Sequence, residues 1–234
     1  MNIKAITLLA ALMLATALAH AAESWYQVEM IVFTHKGASL NSEHWPDDPG
    51  RPDGKGAVTL QRGGSKGLAA PGGGFAYQLL DDSAFELNGA YAKLHRSGRY
   101  APLLHLAWKQ PTNSLNKTQP VMISTRRTGS TPPKIEGVVR IGRKRYLHAD
   151  IDLVLNRPTP PGEGLAANGG YGPAYRSYRM KTRRRMRSNE LHYLDHPLMG
   201  VLLKITPLEQ PASKKSVQKP SVEATKEKTT ITPN

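Results

Sequence analysis

The segment Trp25–His35, "WYQVEMIVFTH", sets Tyr26, Val28, Met30 and Val32 against Gln27, Glu29 and Ile31. This period of two predicts a strand with one apolar face, its far end the more buried. Further along, Ser83 and Glu86 stand at capping-box spacing, and Leu87, Ala90, Tyr91 and Leu94 follow at helical intervals. A serine hydroxyl in that position accepts from the amide three residues on while the glutamate reaches back. Gly98 supplies the stop, where other residues would be strained. This is the main helix expected of the chain.

In "YAPLLHLAWKQ", Leu104, Leu106 and Trp108 line one face of a second strand. The strongest hairpin signal comes next. Ile135, Val139 and Ile141, then Leu147, Ala149, Ile151, Leu153 and Leu155, are all odd-numbered. Residues directly opposite in an antiparallel pair share a face, so odd must meet odd. A two-residue turn at Gly142-Arg143 would put the two apolar sets on opposite faces. The expectation is a three-residue loop, Gly142 to Lys144, or a bulge, with Val139 opposite Leu147.

The stretch Arg179–Arg187 alternates as well. Tyr178, Met180, Thr182, Arg184 and Met186 interleave with Arg179, Lys181, Arg183, Arg185 and Arg187. As a strand it carries five cations on one face and a packable face behind; as a helix the cations would wrap the cylinder and leave no apolar stripe. Ser188 to His196 then reads as a short helix or turn closed by Pro197, and Met199, Val201, Leu203 and Ile205 form a last strand. The order predicts an α+β fold, an antiparallel sheet of about six strands with one main helix packed on it.

The rest of the chain frames this core. Lys4 is the only early charge, and Ala5 to Leu18 is apolar apart from Thr7 and Thr16. Ala19-His20-Ala21 then offers small residues where a signal peptidase reads. Residues 1–22 are therefore read as a secretory signal cut after Ala21 or Ala22, with Ala17-Leu18-Ala19 as a second site. The run is too short to span a bilayer comfortably as an uncleaved anchor, and no later stretch is apolar enough to span one. Residues 23–207 form the expected single domain. Its loops are 49–74, with nine glycines and three prolines, and 158–173, with its "NGGYG" run. Residues 208–234 are rich in Lys, Thr, Ser, Pro and Glu, too polar to offset their ordering entropy, and are expected to be disordered.

Charge and cysteine content narrow the chemistry. The chain holds 32 Lys and Arg against 18 Asp and Glu, a formal net charge of +14. That excess favours anionic partners. Behind an export signal these are wall-peptide carboxylates, lipid phosphates and acidic proteins, with no nucleic acid. There is no cysteine, hence no disulfide, no thiolate nucleophile and no lipid-attachment cysteine. No serine sits in a nucleophile elbow, and the glycine-rich loops lack the phosphate-loop lysine, so no catalytic residue and no cofactor is assigned.

Two acidic and histidine clusters invite enzyme readings. His192 and His196 are four apart beside Glu190 and Asp195, a zinc-helix spacing, but Tyr193 occupies the place of the zincin glutamate and Pro197 disfavours a helix there. The plainer reading is a tight turn whose side chains bond backbone groups. Asp150 and Asp152 share a strand face with His148. Neighbouring carboxylates on an exposed strand usually only solvate. The cationic strand is the more specific signal, because arginine forks grip carboxylates in a bidentate manner and nearby Tyr175, Tyr178 and Tyr193 could meet sugar rings. Set against it is a solvated sheet face whose arginines neutralise Asp150, Asp152 and Glu190. The candidate ligand-binding set is Arg179, Lys181, Arg183, Arg184, Arg185, Arg187, Glu190, His192, Tyr193, Asp195 and His196.

Three segments together, "WYQVEMIVFTH", "SEHWPDDPG" and "RRRMRSNELHYLDHPLMGVLLKI", resemble the CsiV-type peptidoglycan-binding proteins, periplasmic factors of gammaproteobacteria. The block from Arg184 to Val201 is the most distinctive, while the Gly-rich loop and the Lys-rich tail stand apart. The resemblance implies a non-enzymatic periplasmic adaptor that binds peptidoglycan and supports wall synthesis through a penicillin-binding protein and its lipoprotein activator. It carries over no ligand residues. Two rivals stand beside it: a scaffold docking an acidic protein or anionic lipid through the same face, and a metal-dependent wall hydrolase using His192, His196 and a carboxylate.

Overall fold

A computed structural model describes residues 24–38, 44–63, 67–125, 131–159 and 174–209. The expected signal, most of the 158–173 loop and all but the first two residues of the 208–234 tail lie outside the described residues.

The strands are β1 (Ser24–His35), β2 (Val58–Thr59), β3 (Gln61–Arg62), β4 (Gln78–Leu79), β5 (Tyr100–Thr112), β6 (Val121–Ser124), β7 (Ile135–Arg143), β8 (Leu147–Pro158), β9 (Tyr175–Met186), β10 (Leu191–His196) and β11 (Met199–Leu208). The helix, α1, is Asn88–Arg96. The strands form two sheets, ordered β10-β11-β1-β5-β4-β3 and β2-β6-β7-β8-β9. Both are mixed, because β2 pairs with β6 and β3 with β4 in parallel.

This corrects the α+β expectation of a helix packed on one antiparallel sheet: the protein is mostly β, in two sheets. The reason is coverage. A nine-residue helix with no buried residue of its own cannot hide the apolar faces of six long strands. The sheets hide each other instead, as in a sandwich. Met30, Val32, Trp108, Val201 and Leu203 of the first sheet and Val139, Ile151, Leu153 and Met180 of the second belong to one buried cluster. The alternations of β1, β5, β9 and β11 hold as read. Val28 faces Trp108, Met30 faces Leu106 and Val32 faces Leu104. The register then shifts at Val32/Phe33, so that Phe33 meets Pro102, which has no amide to donate.

The hairpin keeps the predicted parity and loop length, but the loop moves two residues along and the partner of Val139 moves four, from Leu147 to Ile151. Arg143 faces Leu147 and Val139 faces Ile151, so the loop is Lys144–Tyr146 rather than Gly142–Lys144. Parity cannot distinguish registers an even number of residues apart. Gly142 stays in the strand because Leu115 runs across it: a Cβ there would lie 2.5 Å from the Leu115 Cα. The glycine-rich stretch, read as a loop, contributes β2 and β3. Ser188–His196 is neither helix nor closed turn. Asn189 takes a positive φ of 64°, and the chain enters β10, which pairs with β11 from Leu191↔Lys204 to His196↔Met199.

The helix begins later than the capping box implied. Asp82–Ala84 is a 3-10 turn, and Leu87 stands at the N-cap without a side-chain bond. The amides of Glu86 and Leu87 donate instead to the two carboxylate oxygens of Glu29 on β1, at 2.7 and 2.9 Å. Glu86 is turned toward β11, bonding Lys204 and Thr206. At the far end Ser97 is extended and Gly98 has no positive φ, so no left-handed glycine closes the helix. Ala90, Tyr91 and Leu94 lie on Ile31 and Phe33, on the outer face of the first sheet.

A polar link crosses the core. Trp108 Nε1 donates to Gln110 Oε1 at 2.8 Å, and Gln110 Nε2 donates to the Ile141 carbonyl of the opposite sheet at 3.1 Å. Gln110 is fully buried. Gln110→Leu leaves a buried donor and a buried acceptor unpaired and is expected to cost about 2–4 kcal/mol, from roughly 1–3 kcal/mol per orphaned group. Urea unfolding checks it, and Trp108→Phe added to Gln110→Leu should recover part of the loss.

Candidate functional site

Among the described residues β9 is an edge strand paired with β8 alone, and their register sets Arg183 opposite Asp150 and Lys181 opposite Asp152. The outward cations therefore meet a row of carboxylates. Arg183 Nε and Nη2 donate to the two oxygens of Asp150 at 2.5 and 2.7 Å. Arg179 reaches diagonally to Asp152, with both bonds at 2.7 Å, and its Nη1 donates to the Pro49 carbonyl at 3.1 Å. Arg187 lies 3.5 Å from Glu190. Three of the candidate cations are thus spent inside the protein. Arg179 also fastens the 47–53 segment across the outer face of the second sheet.

Arg184 and Arg185 lie at one corner, while Lys181 lines a separate cleft with Asp150 and Asp152. Arg184 and Lys181 are exposed and, among the described residues, have no carboxylate partner. Arg185 lies over the ring of Tyr146 at 3.4 Å, and Arg145 approaches the same ring at 5.5 Å. Tyr146 stands in the β7–β8 loop, which the β8–β9 register brings beside the end of β9. An open cleft of about 530 Å³ runs here between Arg184, Arg185, Arg187, Glu190 and His192. His192 Nε2 accepts the Arg187 amide at 3.1 Å, which ties the start of β10 to the corner.

The other candidates do not join it. Tyr193 and Asp195 are on the outer face of the first sheet. The Tyr193 hydroxyl donates to Asp195, and its ring stacks on Phe33 at 6.1 Å. Burial, then the bond to Asp195, holds the Tyr193 phenol above its ordinary value. His196 is turned toward Trp45, with ring centroids 5.4 Å apart, and its Nδ1 accepts the Leu198 amide at 3.2 Å. Burial is the main cause that lowers its pKa, and nearby Asp195 opposes the shift. Of the tyrosines expected near the cations, Tyr178 is core and Tyr175 lines a separate cleft with Asn156 and Ser177. The aromatic at the corner, Tyr146, was not singled out from the sequence. Its signal is an aromatic inside the basic loop "GRKRYLH", just before the apolar alternation resumes at Leu147.

The zinc-helix spacing of His192 and His196 loses its premise, since four residues along a strand span about 13 Å. Among the described residues no group of three or more His, Cys, Asp or Glu is placed to hold a metal ion, and no helix is long and apolar enough to cross a membrane. What the corner can do is receive a carboxylate or phosphate with guanidinium forks beside an aromatic ring, at an exposed site that salt would weaken.

No curated protein and no solved structure matches the chain. One family model does, described as "Peptidoglycan-binding protein, CsiV", and it spans residues 4–208. That match takes in both sheets, the arginine strand and the corner, and the chain belongs to the CsiV family of peptidoglycan-binding proteins.

Proposed function

We propose that this protein is a non-enzymatic periplasmic adaptor that binds peptidoglycan through the corner formed by Arg184, Arg185 and Tyr146. Stem-peptide carboxylates meet the guanidinium groups, and the Tyr146 ring edge lies against the glycan. The adaptor supports wall synthesis by bringing a penicillin-binding protein and its lipoprotein activator to the polymer. The observation that supports this reading is the Arg184–Arg185 pair, without a carboxylate partner among the described residues, in a family described as peptidoglycan-binding. Arg179 and Arg183 serve the fold, because Asp152 and Asp150 already occupy them.

The test is co-sedimentation with purified sacculi from low to high salt. Arg184→Glu with Arg185→Glu is expected to weaken binding roughly tenfold or more. The melting temperature should stay close to that of the parent, since both side chains are exposed. A chain ending at Glu209 should bind like the parent. Unchanged binding by the double variant removes the corner from the mechanism, and binding lost with residues 210–234 makes the Lys-rich segment the anchor.

A further inference from the structure

A two-sheet protein has four edges, each a row of backbone donors and acceptors open to another strand unless something guards it. β2 and β3 are two residues long, too short to template a partner. β9 is long but carries Lys181, Arg183, Arg184 and Arg185, and lysines and arginines on an edge discourage pairing. β10 differs. Its six residues, "LHYLDH", include no proline, glycine, lysine or arginine. It pairs with β11 alone, and among the described residues its backbone makes no hydrogen bond elsewhere.

The face beside this edge is apolar and fixed. Leu191 is 49% exposed and Tyr193 46%, two of the five large hydrophobic side chains most open to solvent among the described residues. They stand two apart and therefore point the same way. Tyr193 is held by its stack on Phe33 and its bond to Asp195. Gly200 makes the stack possible: a Cβ there would lie 2.4 Å from the Phe33 Cζ and 2.8 Å from the Tyr193 Cε2. An ordered aromatic beside an open ladder lowers the entropic cost of docking.

We propose that β10 is a docking edge for an extended, acidic segment of a partner protein, which adds to the first sheet as a seventh strand. Its main chain completes the β10 ladder, its apolar side chains cover Leu191 and Tyr193, and its carboxylates lie toward Arg184 at the β9–β10 corner. Charge selects this occupant over a second copy of the chain, since two molecules of net charge +14 would have to meet. Main-chain bonds supply affinity in such additions and alternate side chains supply specificity. The site is distinct from the sacculus contact in its core residues, so either can fail alone.

The probe is a synthetic peptide alternating Val and Glu, titrated into the full chain while amide exchange is followed. The expected result is new protection confined to β10. A peptide N-methylated at alternate residues, or one with Lys in place of Glu, should bind roughly tenfold more weakly or not at all. Leu191→Ser should weaken binding severalfold with an unchanged melting temperature and unchanged sacculus binding. Equal binding of the N-methylated peptide, protection elsewhere than β10, or concentration-dependent dimerisation that protects β10 would each overturn the proposal.

Discussion

Gly137→Ala is expected to remove about 4 kcal/mol of folding free energy, which leaves little of the roughly 5–15 kcal/mol of a typical domain. Gly137 sits in β7 at φ 151°, opposite Leu153 of β8 and Ile123 of β6. A Cβ at this position would lie 2.1 Å from the Asp152 carbonyl oxygen and 2.8 Å from the Leu153 Cα. Both atoms are backbone of the paired strand, so no side chain can turn away. The alternatives are to hold an L-residue in a conformation costing about 1–3 kcal/mol and push β8 aside, or to give up local pairing. Displacing Asp152 also disturbs its bidentate pair with Arg179, and with it the anchor of the 47–53 segment. Urea unfolding gives the loss. Gly98→Ala is the control: Gly98 has no positive φ and its Cβ would meet nothing within 4 Å, so the substitution should be nearly neutral.

The second large effect is expected at Glu29, which is only 2% exposed. Its carboxylate receives His105 Nε2 at 2.7 Å besides the Glu86 and Leu87 amides. His105 in turn lies between Phe85 and Tyr91, its ring stacked 5.0 Å from Tyr91, so the one carboxylate positions both the approach to α1 and the ring that α1 packs on. Burial pushes the Glu29 carboxyl up; the bonds from His105, Leu87 and Glu86 outweigh it and bring it below its ordinary value. Glu29→Gln keeps the shape but turns an amide NH2 toward a donor, at an expected cost of about 2–3 kcal/mol. The pH dependence follows from the sign of the shift. A carboxyl with a depressed folded pKa contributes stability that is complete above its unfolded pKa and is lost as pH falls through the folded one. The parent and Glu29→Gln should therefore differ most at neutral pH and converge in acid. Parallel curves down to low pH would mean that Glu29 acts by packing alone.

The long strands were legible because their apolar residues recur at every second position, from Leu104 to Trp108 in β5 up to Leu147 to Leu155 in β8. β10 was not. Leu191 and Tyr193 face solvent, Leu194 faces the core between two histidines, and Pro197 imitates a helix stop where it opens a tight β10–β11 turn. The division into two sheets has no local signal at all. β9 and β10 are separated by only four residues, yet they belong to different sheets. The same division scattered the candidate site: residues contiguous from Arg179 to His196 are split between opposite outer faces, and only the corner where the chain changes sheets keeps several of them together. Alternation put Arg179, Lys181, Arg183 and Arg185 on one face of β9, with Arg187 just beyond the strand. It could not say that the register would hand Arg183 to Asp150 and Arg179 to Asp152, because charge pairing across strands is a property of the pair.

The placement of β11 bears on how the chain reaches this state. The last strand lies inside the first sheet, between β10 and β1, with Leu208 opposite Trp25. The second sheet is mainly a meander, β6 to β9 in order, and can assemble from contacts near in sequence. The first sheet is closed by the longest-range pairing among the described residues, and such contacts form late because a long loop must be closed before they repay its entropy. A chain emerging from its N-terminus thus holds β1 without one of its two neighbours until the final strand arrives. During that interval the apolar inner face of the meander lacks its full cover, which places the hazard of misassembly at the end of synthesis rather than at its beginning.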